Sequence, residues 1–280
     1  MSDQNDSTRS EPQGGNLSLK GLIFDAVEVR VDAHVMTITL NRPERKNAIN
    51  AVMTNELIYA LDYARQERRI RVVVLAARGN VFCAGGDLRS MSGKKGEKPV
   101  SNVPKRGESD DISLRIRHLH KPVIAKIQGS VFAGALLMVC NATHAIAVDH
   151  AEFSAPEIRR GIWPFMVMAG LFRLVPKRAG LDFIMRGQPV DAATAERWGL
   201  INAAVPMQQL DETVAQLATE LSNLAPGSMQ MGLMAYERQE DMAFDEALPF
   251  LRTQIDACLK SDDAREGIAA FLEKRPPVWD

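Results

Sequence analysis

The sequence predicts an α/β protein, with one core of strands and helices over 21–205 and a helical C-terminal region over 206–280. Three observations predict it. Two early segments alternate apolar and polar residues with a period of two. Short apolar runs then alternate with helical patterns, and from Pro164 onward the pattern is almost wholly helical. At 280 residues the chain is long enough to bury a substantial core.

The elements follow in order. Residues 1–20 are polar and carry Asp3, Asp6 and Glu11, which reads as a disordered leader, with order beginning near Leu22. Residues 27–31 and 35–40 alternate around Asp32-Ala33, the mark of a β-hairpin. Pro43 ends the second strand because proline cannot continue a sheet ladder. Met53, Leu57, Ala60, Leu61 and Ala64 then define one helix face. Val72-Val73-Val74-Leu75 is a short apolar strand covered on both faces. Between Ser90 and Asp111 the composition turns to Gly, Lys, Ser, Pro and Glu, typical of a mobile surface loop, either a substrate lid or a plain insertion. A helix is expected over 112–119, a strand over 123–127, a small-residue turn and helix over 129–142, and a strand over 144–148. Helices follow over 166–174, 176–185 and 192–198, then three longer ones within 207–272.

Composition removes several classes of function. The formal net charge of -1 gives no general attraction to nucleic acid or an acidic membrane. Lys94-Lys95 and Lys105-Arg106 are short clusters of the solvated kind. Cys83, Cys140 and Cys258 are odd in number and lack C-x-x-C spacing, which argues against a disulfide framework or zinc site and for a reducing compartment. The five histidines show no metal-ligand spacing, so no metal is expected. The longest apolar run, 131–140, is about half a bilayer span. A soluble, cytoplasmic protein is the expectation.

Three segments can carry chemistry. Gly85-Gly86, after a buried strand, lets the backbone approach a ligand with no Cβ in the way, and an exposed N–H there can donate to a developing oxyanion. Gly129 to Ala135 precedes an apolar helix whose free N–H groups point at whatever sits before it; taken alone, close packing of small residues explains it better. Glu157, beside Ile158, Ile162 and Trp163, is a carboxylate whose partial desolvation would raise its pKa toward a useful range.

Taken together, these segments resemble the crotonase superfamily, the enoyl-CoA hydratase/isomerase group, from about Val27 to the C-terminus. Asn41-Arg42-Pro43 with Asn47-Ala48 resembles the family's N-R-P-x-x-x-N-A motif, and 82–88 its A-G-[AG]-D-[IL] segment. Residues 120–125 resemble its H-K-P-V-I-A strand, 187–192 and 199–201 its helical continuation, and 271–275 its terminal F-x-E-K-R. The resemblance implies a spiral of ββα units with a C-terminal helical trimerisation region, as a homotrimer or homohexamer. It implies an acyl-CoA substrate, with coenzyme A arriving as part of the thioester and no covalently bound cofactor. Carried onto this chain, the oxyanion hole is the N–H pair of Gly86 and Gly134, and Glu157 is the catalytic acid–base. Arg45, Lys46, Ala84, Asp87, Leu88 and Arg89 line the coenzyme A path. Phe271 and Lys274 belong to the terminal motif, with Lys274 a phosphate contact. Trp163, Phe165 and Phe132 wall the acyl pocket.

One departure bears on the reaction. Family hydratases carry two glutamates, and this chain has Leu137 where the first belongs. A single carboxylate at Glu157 suits double-bond isomerisation. Hydration with another water-activating group, decarboxylation, thioester hydrolysis and a catalytically weak acyl-CoA-binding scaffold remain open.

Overall fold

Alternation in the first hairpin is matched residue for residue. The computed structural model describes residues 17–91, 99–108 and 111–279. In it, β1 (Val27–Asp32) pairs antiparallel with β2 (Val35–Leu40), and Met36, Ile38 and Leu40 turn into the core. After a 3-10 turn at Pro43–Arg45, Asn50 caps α1 (Ala51–Gln66) by accepting the Met53 N–H at 2.9 Å. The predicted face of α1 is buried, and so are Thr54, Glu56 and Asp62 beside it. Glu56 carries a structural duty, accepting the N–H groups of Asp25, Ala26 and Val27 at 2.8–3.0 Å.

The apolar run sits in the middle of the larger sheet. β3 (Val72–Ala77) lies parallel between β2 and β5 (Val123–Ile127); β7 (His144–Val148) and β10 (Ala203–Val205) follow on the far side. Two covered faces explain why Val72 to Leu75 shows no polar alternation.

A second sheet, absent from the sequence reading, stands beside the first. It consists of β4 (Val81–Cys83), β6 (Ser130–Phe132), β8 (Glu152–Ser154) and β9 (Val190–Asp191), in that order. Strands of two or three residues are too short to display a period, so neighbours rather than pattern create them. Three successive stretches, β3-β4, β5-β6 and β7-β8, thus each add one longer strand to the first sheet, one short strand to the second, and then helix. These are the ββα units of the expected spiral. The helices are α2 (Leu88–Met91), α3 (Asp111–Arg117), α4 (Ala135–Asn141) and α5 (Phe165–Leu174). The segment expected as a turn and helix over 129–142 begins instead with the short strand β6 and becomes helix at Ala135.

α6 (Lys177–Arg186) and α7 (Ala192–Arg197) continue as expected. Beyond them the chain forms four helices rather than three: α8 (Met207–Ser222), α9 (Pro226–Gln239), α10 (Phe244–Cys258) and α11 (Asp262–Glu273). Pro226 opens a new helix because its ring suits a first turn and not a helix interior. α8 packs on the large sheet through Leu210, Val214 and Ala218. α9 is held by Glu237, which meets His118 and His120 at 2.8 and 2.7 Å, giving both histidines structural partners.

Two loop expectations change. Most of the expected leader, 1–16, lies outside the described residues, but residues 17–20 already pack on α1, the Tyr59 hydroxyl donating to the Ser18 carbonyl at 2.9 Å. Residues 99–108 are tied down rather than free. Asn102 bonds both Ile23 and Gly21, and Arg106 reaches Asp62 at 2.7 Å. Residues 92–98, the middle of that loop, lie outside the described residues. Among the described residues no helix is long and apolar enough to cross a membrane, and no group of side chains is arranged to hold a metal.

Candidate active site

The three chemical segments are brought together by the second sheet. β4, β6 and β8 are parallel neighbours, so their C-terminal ends lie side by side about 4.8 Å apart. Ala84 to Asp87 follows β4, Ala133-Gly134 follows β6, and Ala155-Pro156-Glu157 follows β8.

Gly85 has to be glycine on two counts. Its φ is +83°, and a Cβ there would lie 2.8 Å from the Ala133 Cβ and 3.1 Å from the Gly134 nitrogen. The first glycine turn is therefore in van der Waals contact with the second. Gly86 forms a parallel bridge with Ile49, in which Ile49 N–H donates to Gly85 O (2.8 Å) and Asp87 N–H donates to Ile49 O (2.9 Å). With its neighbours committed on that side, the Gly86 N–H faces the other way. Across the gap, Ala133 takes a left-handed φ of 54° and donates to Ser154 O at 2.8 Å. That conformation costs a non-glycine residue about 1–2 kcal/mol, strain of the kind stored at functional sites. Leu136 and Leu137 N–H groups return to Ala133 and Gly134 carbonyls. Among the described residues, neither the Gly86 nor the Gly134 N–H has a protein acceptor, and both glycines are exposed.

Both open into a cleft of about 820 Å³. α1 supplies Val52, Thr54 and Asn55; the segment before α3 supplies Val103, Lys105 and Glu108; α3 supplies Ile112 and Ser113. Leu137, Met138 and Met166 complete the apolar wall. Leu137 is 8% exposed, so an aliphatic surface occupies the place where the family resemblance expects a carboxylate.

Glu157 lies one strand beyond Gly134, on the 3-10 turn Pro156–Arg160, and is not part of the cleft lining. Its Oε2 is enclosed with no hydrogen-bond partner. Loss of water raises its pKa above the ordinary value, opposed by its own backbone N–H and by Arg160. A half-buried carboxylate with one enclosed, unpartnered oxygen is costly as structure and suited to proton transfer.

The opening motif proves to be scaffold. Asn47 is fully buried; it accepts the Arg42 N–H at 2.9 Å and donates to the Arg78 and Val81 carbonyls, each at 2.8 Å. Arg42 reaches Asp87 at 3.3 Å and the Ala48 carbonyl. Cys83 donates to Asn47 O at 3.0 Å, and burial pushes its thiol up to about 12, so it is no nucleophile at neutral pH.

Of the remaining predicted residues, Asp87 lines the cleft and the others do not. Arg45 and Lys46 are exposed on the turn before Asn47, although the Lys46 carbonyl takes the Ala84 N–H at 3.0 Å. Leu88 and Arg89 are exposed at the start of α2. Trp163 donates to the Met168 sulfur at 3.3 Å and packs on the core, while Phe165 is 69% exposed and Phe132 half-buried; none of the three walls the cleft. Phe271 and Lys274 are exposed at the end of α11. Sequence reasoning missed Thr54, Ser113 and Glu108. Thr54 left a signal, a polar residue next to the apolar stripe of α1; Ser113 and Glu108 left none.

Comparison with known proteins matches the same span. A family model described as enoyl-CoA hydratase/isomerase matches residues 30–280. The chain is 31% identical to the mevalonyl-coenzyme A hydratase of Aspergillus fumigatus over 252 residues, 88% of this chain and 91% of that protein. It is also 31% identical to the carnitinyl-CoA dehydratase of Escherichia coli K12 over 263 residues, 91% and 98% of the two chains. A crystal structure of an enoyl-CoA hydratase from Mycobacterium smegmatis superposes with a TM-score of 0.82 at 29% identity, covering 91% of this chain and 98% of that one.

Proposed function

Because the chain belongs to the enoyl-CoA hydratase/isomerase family and is an enzyme acting on acyl-CoA, we propose that it is an isomerase-like member using one glutamate as its proton shuttle. The carrying observation is the pairing of two free N–H groups, Gly86 and Gly134, with a carboxylate one strand away, one oxygen of which has no partner, and an aliphatic Leu137 in the wall. The thioester carbonyl accepts both N–H groups. Glu157 takes a proton from the carbon next to that carbonyl in a 3-enoyl-CoA. The C–H electron pair becomes the enolate, held by the two donors, each worth about 3–4 kcal/mol. The dienolate then takes the proton back at C4, leaving the double bond conjugated with the thioester. No water enters the balance.

Hydration is the second reading, and Glu108 favours it. Its side chain lines the same cleft, paired with Lys105 at 2.6 Å, and could position a water where Leu137 cannot. The relatives named above as a hydratase and a dehydratase point the same way. A binding scaffold is disfavoured by Glu157, one oxygen of which is enclosed at a cost to the fold with no partner. In this reading Arg45, Lys46, Leu88, Arg89 and Lys274 contact the coenzyme A moiety from the cleft mouth or from a neighbouring copy. The exposed Phe244, Leu248, Leu259, Phe271 and Leu272 of the last helices are covered in a homotrimer or homohexamer.

The test is product analysis in deuterated water with 3-enoyl- and 2-enoyl-CoA in parallel. Isomerised, deuterated product without 3-hydroxyacyl-CoA supports the shuttle. Rapid 3-hydroxyacyl-CoA formation transfers the assignment to hydration.

A further inference from the structure

Two hydroxyls in the wall of the cleft have no protein partner among the described residues. Thr54 sits on the buried side of α1, only 5% exposed, and lines the cleft. A threonine inside a helix often returns its hydroxyl to the carbonyl one turn back. Here the Asn50 carbonyl takes the Thr54 backbone N–H at 2.9 Å, and the Thr54 hydroxyl has no partner among the described residues. Nor is the hydroxyl among the enclosed orphan atoms, so the opening that reaches it is the cleft. Ser113, on α3, repeats the arrangement: half-buried, lining the same cleft, its hydroxyl without a described partner. Ile112, Leu137 and Met138 line the same cleft.

A plain alkyl chain seated against this wall strips water from two hydroxyls and returns nothing to them. A hydroxyl on the chain can return a bond at either residue, donating or accepting; an oxo group accepts one. A carboxylate is less suited, because Lys105 is 70% exposed and already neutralised by Glu108 at 2.6 Å. We propose that the cleft selects an oxygenated acyl chain, hydroxy- or oxo-substituted beyond the thioester, and that Thr54 and Ser113 are the residues that determine this specificity. The proposal rests on the acyl-CoA reading of the site.

The experiment is calorimetric binding of hexanoyl-CoA and its terminally and internally hydroxylated derivatives, all saturated and so inert to hydration and isomerisation. Wild type is expected to bind at least one hydroxylated thioester about tenfold more tightly than hexanoyl-CoA. Thr54→Val, which keeps the side-chain shape, is expected to lose most of that preference, and Thr54→Val with Ser113→Ala all of it. Hexanoyl-CoA affinity is expected to hold or improve, which separates lost recognition from lost folding. Equal binding of all thioesters by wild type overturns the specificity and leaves the acyl-CoA site standing, as does a preference that survives in the double variant. Failure to bind any coenzyme A thioester overturns the acyl-CoA reading itself.

Discussion

Glu157 is expected to be a burden on the fold that its chemistry requires, and Glu157→Gln separates the two. One carboxylate oxygen is enclosed without a partner, and loss of water raises the pKa above its ordinary value. The folded state therefore keeps this proton to higher pH than the unfolded chain does. Stability falls as pH rises from the unfolded value through the folded one, and the penalty is full once the pH is above the folded value. Leaving a buried acceptor unpaired costs about 1–3 kcal/mol. Glutamine still presents an unpaired polar group, so recovery of about 1 kcal/mol is expected, a rise in Tm of about 2–4 °C for a chain of this size. Activity moves the opposite way, with turnover falling about 10²- to 10⁴-fold. Calorimetry at neutral pH and below the folded pKa reads the first effect, and the stabilisation should shrink at the acidic condition, where the wild-type carboxyl is also neutral. Deuterium exchange next to the thioester carbonyl reads the second. A glutamine variant that melts lower at neutral pH, or exchanges at the wild-type rate, refutes the reasoning.

Other substitutions test other parts of the site. Gly85→Ala meets both a φ of +83° and the Ala133 Cβ at 2.8 Å, so a loss of about 1–3 kcal/mol and of activity is expected; Gly134→Ala, with nothing within 4 Å of the new Cβ, should melt at or slightly above wild type. Asn47→Ala removes three hydrogen bonds from a fully buried amide and orphans their partners, which should cost about 2–4 kcal/mol in urea unfolding without touching the cleft. Leu137→Glu should destabilise the fold by about 1–3 kcal/mol, since the site is 8% exposed. The same variant should raise the share of hydrated product from a 2-enoyl-CoA, and an unchanged product ratio would remove Leu137 from the argument.

The long elements were legible because each carries its own period or its own stop signal. The hairpin of β1 and β2, the face of α1, the apolar β3 and the helices after Pro164 are all patterns that local physics writes into consecutive residues. The chemical segments were legible too, because glycine pairs and a Pro-Glu turn are uncommon shapes that the resemblance links in order. Their meeting was not. Gly86, Gly134 and Glu157 are brought together by β4, β6 and β8, strands too short to have a period, whose existence depends on hydrogen bonds to neighbours far along the chain. The same holds for the cleft. Thr54, Ser113 and Glu108 are ordinary helix and loop residues in sequence, and only the packing of α1, α3 and α4 turns them toward one space. Sequence by itself marked residue types suited to chemistry; tertiary structure decided which of them lie at neighbouring strand ends, because burial and proximity are properties of the packed chain and of no single segment.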